Sequence, residues 1–153
     1  MKTRVAVIYG GRSGEHEVSL RSAEAVIKHL DADRYEVVRY LISKDGKWAP
    51  SPILPEPGGN PGIDVVFPIL HGTFGEDGTM QGLLELADLP YVGPGVLASA
   101  AAMDKEVMKR LCAASGVRTV ECVVTHRGAR VLAADLPFGF PMFVKPEIGR
   151  AHV

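Results

Sequence analysis

A glycine-rich stretch in the first half of this 153-residue chain carries the side chains best suited to chemistry. His71, Glu76 and Asp77 follow the apolar run Ile63–Leu70, which is typical of a buried strand, and a helix-like segment comes next. Ligands of α/β sheets bind beyond the carboxyl ends of the strands, and glycines let the backbone approach a ligand closely. The pattern therefore predicts a ligand-binding loop at the end of a strand.

Each polar side chain of this loop has two interpretations. His71 can donate a hydrogen bond to a substrate carboxylate or phosphate, or it can bind a nearby backbone carbonyl. Glu76 and Asp77 can also face a ligand, but their position favours capping of the following helix. The short distance in sequence from Asp77 to Thr79 supports that role.

An earlier loop, Gly10–Glu15, also follows an apolar run. It lacks the glycine spacing of a dinucleotide fingerprint, and the chain contains no P-loop motif. Glu15 stands just before a helix predicted to begin near Glu17, at the positive end of its dipole. It is either a helix-start carboxylate or a group that holds a cationic ligand, and the spacing leaves both open.

Two lysines differ in their surroundings. Lys145 ends the apolar strand-like segment Phe140–Pro146, and lysines at strand ends often meet phosphate. Lys105 lies on a predicted helix, where a lysine is usually solvated. No spacing typical of a metal site stands out, and Cys112 is expected to be a small core residue.

The composition indicates a soluble globular protein, with 46% hydrophobic and 23% charged residues and a net charge of -1. The absence of a basic patch argues against a nucleic-acid partner. No apolar run approaches the ~20 residues that cross a bilayer, so no membrane association is expected. The two cysteines form no CxxC motif, which favours free thiols in the cytoplasm.

The hydrophobic pattern of the first 95 residues predicts an α/β fold with a mostly parallel sheet flanked by helices. A helix carries one apolar stripe, and an Asp45-Gly46 pair predicts a type I′ hairpin before Trp48. Residues 50–62, rich in proline and glycine, predict an irregular connection. The predicted strands are Val5–Tyr9, Tyr35–Ile42, Ile63–Leu70 and Leu89–Gly93, and a second helix covers Gln81–Ala87. The stripe of the first helix is Val18, Ser22, Val26 and Leu30, with Ala23 and Ile27 beside it.

The remainder of the chain resembles the start of a second unit. One helix is predicted from Val96 to Ser115, with an apolar face and a glycine cap at Gly116. Two strand-like segments follow. The apolar face contains Val107, Leu111 and Ala114, and the segments are Val120–Thr125 and Phe140–Lys145.

Several motifs, in order along the chain, resemble those of the D-alanine–D-alanine ligases. The similarity extends over residues 4–146, and an ordered set of motifs is more specific than any single one. The motifs are Val7–Leu20, His71–Gly82, Tyr91–Ser99, Met103–Lys105 and Phe143–Pro146.

The resemblance implies an ATP-grasp ligase of peptidoglycan synthesis. In that family ATP phosphorylates the carboxylate of a first D-alanine, and the amine of a second D-alanine attacks the acyl phosphate. It implies an N-terminal α/β substrate-binding domain over residues 1–95 and an incomplete start of the ATP-grasp domain over residues 96–146. It also implies a homodimer when full length, with ATP and Mg²⁺ (or Mn²⁺) as cofactors.

The resemblance also assigns roles to individual residues. Glu15 is expected to hold the ammonium of the first D-alanine as a catalytic and substrate-binding residue, with support from Ser19. His71 is expected near the carboxylate of that substrate. Lys105 and Lys145 are expected to bind ATP phosphates, whereas the metal ligands belong to a C-terminal part that this sequence does not contain.

The sequence departs from the family pattern after Pro146, where a phosphate-binding loop rich in glycine and serine is expected. We therefore expect residues 147–153 to be a non-native tail and the truncated chain to be inactive alone. Two alternatives stay open. One is a D-alanine–D-lactate or other ATP-grasp ligase, and the other is a non-catalytic α/β module that binds a small molecule.

Overall fold

The computed structural model describes residues 1–148 and divides the chain into two compact units. The first unit ends at Met103 and the second begins at Asp104. Within the described residues, every regular strand belongs to the first unit. No helix of this part of the chain is both long and apolar enough to cross a membrane.

The first unit contains a four-stranded, mostly parallel sheet, as the sequence predicts. The central strand β1 runs parallel to both β2 and β4, and the short β3 is antiparallel to β2. The strands are β1 (Thr3–Gly10), β2 (Tyr35–Ile42), β3 (Trp48–Ala49) and β4 (Val65–Leu70), in the spatial order β3-β2-β1-β4.

Helices α1 (His16–His29) and α2 (Thr79–Leu86) give the sheet two hydrophobic cores. On one face, Val5 and Val7 of β1 pack in a cluster with Ala23 of α1. On the other face, Ala6 and Ile8 cluster with residues of α2, including Leu84. A strand buried on both faces is continuously apolar, which is why β1 was evident in the sequence.

The buried face of α1 agrees with the predicted stripe only in part. Val18 is exposed, whereas His16, Ser19 and Ala23 are buried. The buried face includes a serine and a histidine whose side chains bind backbone groups. Val26 and Leu30 of the predicted stripe pack against the cluster that contains Ala23, so Val18 is the apolar member of the stripe that does not.

The β2–β3 hairpin is confirmed, but its turn is not type I′. A type I′ turn needs positive φ at both central residues, and Gly46 has φ +85° while Asp45 is outside that region. The connection spans five residues, with Gly46 N donating to Ser43 O at 3.0 Å. The Asp45 carboxylate accepts from the Ser43 hydroxyl and stabilises this longer turn.

The predicted strand over Leu89–Gly93 is reduced to one bridge. Tyr91 pairs with Val66, with Val66 N donating to Pro90 O at 2.8 Å and Val92 N to Val66 O at 2.9 Å. Pro90 has no N–H to donate, which limits further pairing. Residues 50–62 form the predicted irregular connection, although Ile53 within it is buried in the core.

The single helix predicted over Val96–Ser115 is wrong, because the structure has two helices. Helix α3 covers Val96–Met103 and α4 covers Lys105–Ala114. Asp104 between them has an extended backbone, and its side chain accepts from Val107 N at 2.9 Å. An aspartate N-cap thus starts a new helix at this point.

The end of α4 is confirmed at Gly116. This glycine has φ +71°, and its N–H donates to Ala113 O at 3.1 Å while Val117 N donates to Cys112 O at 2.8 Å. These two bonds define a Schellman motif, which satisfies carbonyls at the end of the helix.

The strands predicted over Val120–Thr125 and Phe140–Lys145 are absent from the described part of the second unit, where both segments lack a strand assignment. A strand needs hydrogen bonds from a neighbour, and neither segment has a ladder partner among these residues. The predicted inner face of α4 is not buried: Val107 and Leu111 are exposed, and Cys112 is half-buried. Of the predicted non-native tail 147–153, all but the first two residues lie outside the described residues.

Candidate functional site

A cavity of about 230 Å³ lies at the carboxyl ends of β1, β2 and β4. Gly10 and Gly11 form one wall, Ile42 and Trp48 of the hairpin form another, and the loop from His71 to Gly75 borders it. This edge is where the sequence predicts a ligand loop. The parallel strands deliver both glycine-rich loops to the same end of the sheet.

Glu15 lies at the N-cap position of α1 but does not act as a cap. Its side chain makes no hydrogen bond to the first turn, and the residue is 8% exposed. The carboxylate instead lies against Gly72, where an added Cβ would fall 2.7 Å from Oε2. Glu15 therefore stands at the start of the helix without a capping side-chain bond, and both interpretations of its carboxylate stay open.

The two loops are joined by Ser13. Its hydroxyl donates to His71 O at 2.6 Å and accepts from Glu15 N at 3.2 Å. These bonds set the distance between the Glu15 backbone and the end of β4. Sequence reasoning missed Ser13, because a serine in a polar loop carries no periodic signal.

The His71 ring faces two side chains rather than a backbone carbonyl. Nε2 is 3.1 Å from the Ser22 hydroxyl of α1, and Nδ1 is 3.9 Å from Oε1 of Glu76. The ring is therefore held between a helix and its own loop. The predicted alternative, a histidine bonded to a main-chain oxygen, is not observed at His71.

The two acidic residues of the loop have different roles. Asp77 accepts from Thr79 N at 3.0 Å, which confirms its predicted interaction with the start of α2. Glu76 was predicted to cap the same helix, and this is wrong, because its Oε2 accepts from Gly72 N at 2.6 Å. The chain turns back between Gly72 and Glu76, so this hydrogen bond stabilises the turn of the loop.

The pKa of Asp77 is lower than its ordinary value. Partial burial acts to raise this pKa, but hydrogen bonds from Phe74 and Thr79 together outweigh it. Phe74 N donates to Oδ2 at 2.7 Å. Phe74 itself has φ +67°, and the Arg12 guanidinium stacks 4.7 Å above its ring.

Ser19 is fully buried beneath the site. Its hydroxyl donates to Ile69 O and accepts from Gly10 N at 2.8 Å, so it connects the ends of β4 and β1. Its own N–H donates to Glu15 O at 3.0 Å. The Ser19 side chain thus holds the ends of β1 and β4 together next to Glu15.

The two candidate phosphate ligands belong to the second unit. Lys105 is the first residue of α4, and its N–H and Nζ both donate to Glu147 O, at 3.1 Å and 3.3 Å. Lys145 is exposed, with Nζ 5.8 Å from the Phe143 ring centroid. Between Met1 and Ile148, no group of three or more His, Cys, Asp or Glu residues could hold a metal ion.

The fold and the paired loops define an α/β unit with a cavity at the carboxyl ends of parallel strands. Comparison with known proteins makes the assignment specific. A family model described as the D-ala D-ala ligase N-terminus matches residues 4–60 and 56–94. The chain belongs to the D-alanine–D-alanine ligase family.

Relatives and solved structures agree with this assignment. The D-alanine–D-alanine ligase of Solibacter usitatus is 62% identical over 160 residues, which cover 99% of this chain and 49% of that protein. The Coxiella burnetii ligase superposes with a TM-score of 0.72 and 35% identity, over 78% of this chain and 43% of the other. The Bacillus anthracis ligase, solved in complex with ATP, superposes with a TM-score of 0.64 and 29% identity, over 85% of this chain and 42% of the other. The chain thus spans about half the length of the curated relatives it matches.

Proposed function

We propose that this chain forms the first-substrate site of an ATP-dependent ligase that joins two D-alanines for peptidoglycan synthesis in the cytoplasm. The observation that carries the proposal is the Glu15 carboxylate, which is nearly buried beside the loop that holds His71. Membership in the ligase family gives this pair of residues a substrate of matching chemistry.

An amino acid presents an ammonium and a carboxylate, and the two loops offer one partner for each. Glu15 supplies a negative charge for the ammonium, and a charged hydrogen bond of this type is stronger than a neutral one. His71 supplies a ring N–H for the carboxylate. Ser19 fixes the ends of β1 and β4 beneath Glu15, so its part in substrate binding is support.

We further propose that Lys105 and Lys145 bind ATP phosphates. An ammonium group is a suitable partner for a phosphate oxygen, and one of the two lysines is exposed. ATP supplies the γ-phosphoryl group that activates the D-alanine carboxylate. Mg²⁺ is assigned to no residue of this chain, since the described residues contain no cluster of metal ligands. The full-length enzyme is proposed to be a homodimer.

The test uses a completed enzyme, in which residues 1–146 of this chain are joined to the C-terminal half of the Solibacter usitatus relative. We expect phosphate release from ATP that depends on D-alanine. Glu15→Gln should raise KM for the first D-alanine at least about tenfold, since a charged hydrogen bond contributes about 1.5–3 kcal/mol. Steady-state kinetics at both D-alanine sites measure this effect.

Glu17→Gln is the matched control. Glu17 lies on the same helix, is exposed and pairs with Lys44 at 2.8 Å, so its loss should leave KM unchanged. A folded completed enzyme without D-alanine-dependent turnover contradicts the ligase proposal and favours a non-catalytic binding module. Unchanged kinetics in Glu15→Gln would contradict the role of Glu15 alone.

A further inference from the structure

The His71 ring has both of its nitrogens facing a defined group. Nε2 lies 3.1 Å from the Ser22 hydroxyl, within hydrogen-bond distance, and Nδ1 lies 3.9 Å from a Glu76 oxygen, beyond it. A neutral imidazole carries one hydrogen, so one nitrogen donates and the other accepts. The neighbours therefore decide which nitrogen donates.

Ser22 belongs to a polar stripe on α1 that follows the end of β4. Glu15, Ser19 and Ser22 are spaced at i, i+4 and i+7, which places them on one helix face. Ser19 contacts Ile69 O, Ser22 contacts the His71 ring, and Glu15 lies against Gly72. The stripe thus meets the end of the strand and the start of its loop.

Glu76 favours a hydrogen on Nδ1 of the His71 ring. An ionised carboxylate only accepts hydrogen bonds, and Glu76 is fixed because its other oxygen accepts from Gly72 N. A bare nitrogen lone pair facing this carboxylate is repelled, whereas an N–H facing it is attracted. The hydrogen is therefore favoured on Nδ1, and Nε2 becomes the acceptor for the Ser22 hydroxyl.

We propose that Ser22 is a positioning residue that holds His71 as the Nδ1–H tautomer by donating its hydroxyl hydrogen to Nε2. The ring then offers Nδ1–H as its donor, because Nε2 is already engaged by the helix. The identity of the group that receives this N–H, a carboxylate of the amino-acid substrate, rests on the proposed function. The tautomer itself does not.

The test is long-range ¹H–¹⁵N NMR of His71 in the 153-residue chain, at an alkaline pH at which the ¹⁵N signals themselves show a neutral ring. We expect the wild-type ring in the Nδ1–H form. Ser22→Ala should shift the ring towards the Nε2–H form that free imidazole side chains favour in water, because the Glu76 contact, at 3.9 Å, is too long to hold the Nδ1–H form alone. Ser22→Thr, which keeps the hydroxyl, should retain the Nδ1–H form.

Ser43→Ala is the control, because the Ser43 hydroxyl bonds Asp45 and Lys47 in the hairpin turn and should not affect His71. A wild-type ring in the Nε2–H form would overturn the proposal, as would an unchanged tautomer in Ser22→Ala. Kinetics of the completed enzyme report separately on the proposed function. A failure of D-alanine-dependent turnover with the Nδ1–H form intact would contradict the ligase assignment alone.

Discussion

Gly72 limits the distance between the two loops of the site. Its φ is +73°, and a Cβ at this position would lie 2.7 Å from the Glu15 carboxylate. We expect Gly72→Ala to displace Glu15 and to cost about 1–2 kcal/mol of folding free energy from the left-handed backbone. In the completed enzyme, KM for the first D-alanine should rise together with a fall in melting temperature.

Gly82→Ala is the matched control for that substitution. Gly82 lies within α2, and a Cβ there has no neighbour within 4 Å. Replacing a helical glycine by alanine stabilises by up to about 1 kcal/mol. A Gly72→Ala enzyme with the KM of the wild type would contradict the close approach.

The lowered pKa of Asp77 gives the loop an acid sensitivity. A carboxylate with a lower pKa in the folded state contributes stability above its unfolded pKa, near 3.9, and loses it as pH falls through the folded value. We therefore expect Asp77→Asn to reduce stability at pH 7 more than at pH 2–3. Urea unfolding of the chain and the variant across this range measures the difference. Parallel pH profiles of the two proteins would contradict this role.

Residue types identified part of the site. Glu15 and His71 stood out as a carboxylate and an imidazole beside glycine-rich loops, but each kept a structural interpretation, and the family resemblance assigned their roles. Ser13 and Ser22 did not, because a hydroxyl carries no charge and its partner lies about 50 residues away or more. The predicted capping role of Glu76 is wrong because its carboxylate accepts from Gly72 N, and the spacing of residues in the sequence does not show this contact.

Ser19 connects three elements through one buried hydroxyl. It binds Gly10 N at the end of β1 and Ile69 O near the end of β4 from its position on α1. Ser19→Ala leaves these buried groups without this partner, at a cost of about 1–3 kcal/mol. We expect a lower melting temperature and faster hydrogen exchange of the Gly10 amide.

Ser99→Ala provides the comparison, since Ser99 is also buried but donates a longer bond, 3.3 Å, to Pro94 O. Its loss should leave exchange at Gly10 unchanged. Equal exchange of Gly10 in wild type and Ser19→Ala would contradict the connection.

Strands and helices of the first unit were predictable where hydrophobic periodicity was strong. β2 matches its predicted bounds, and β1 and β4 differ only at their ends. The break at Asp104 was missed because the alanine-rich segment before it and the amphipathic segment after it both favour helix. Segments after Val120 have strand-like composition, but only neighbouring strands convert such composition into a sheet.

We expect the 153-residue chain to have no ligase activity. Phosphoryl transfer depends on positioning and on electrostatic stabilisation of the phosphoryl group by metal ions and cationic side chains. Two candidate lysines are present, but no metal cluster occurs between Met1 and Ile148. A phosphate-release assay with ATP, Mg²⁺ and D-alanine checks this, with the completed enzyme as positive control. Turnover by the purified chain would contradict the expectation.

The short strand β3 affects how readily copies of this chain associate through the edges of their sheets. An open strand edge is a template for amyloid-like association between molecules. On one side of the sheet, β3 has two residues and is followed by Pro50 and Pro52, which have no N–H to donate. On the other side, Pro90 and Val92 make hydrogen bonds to the backbone N–H and C=O of Val66. Both features reduce the number of backbone groups that these edges offer to another molecule.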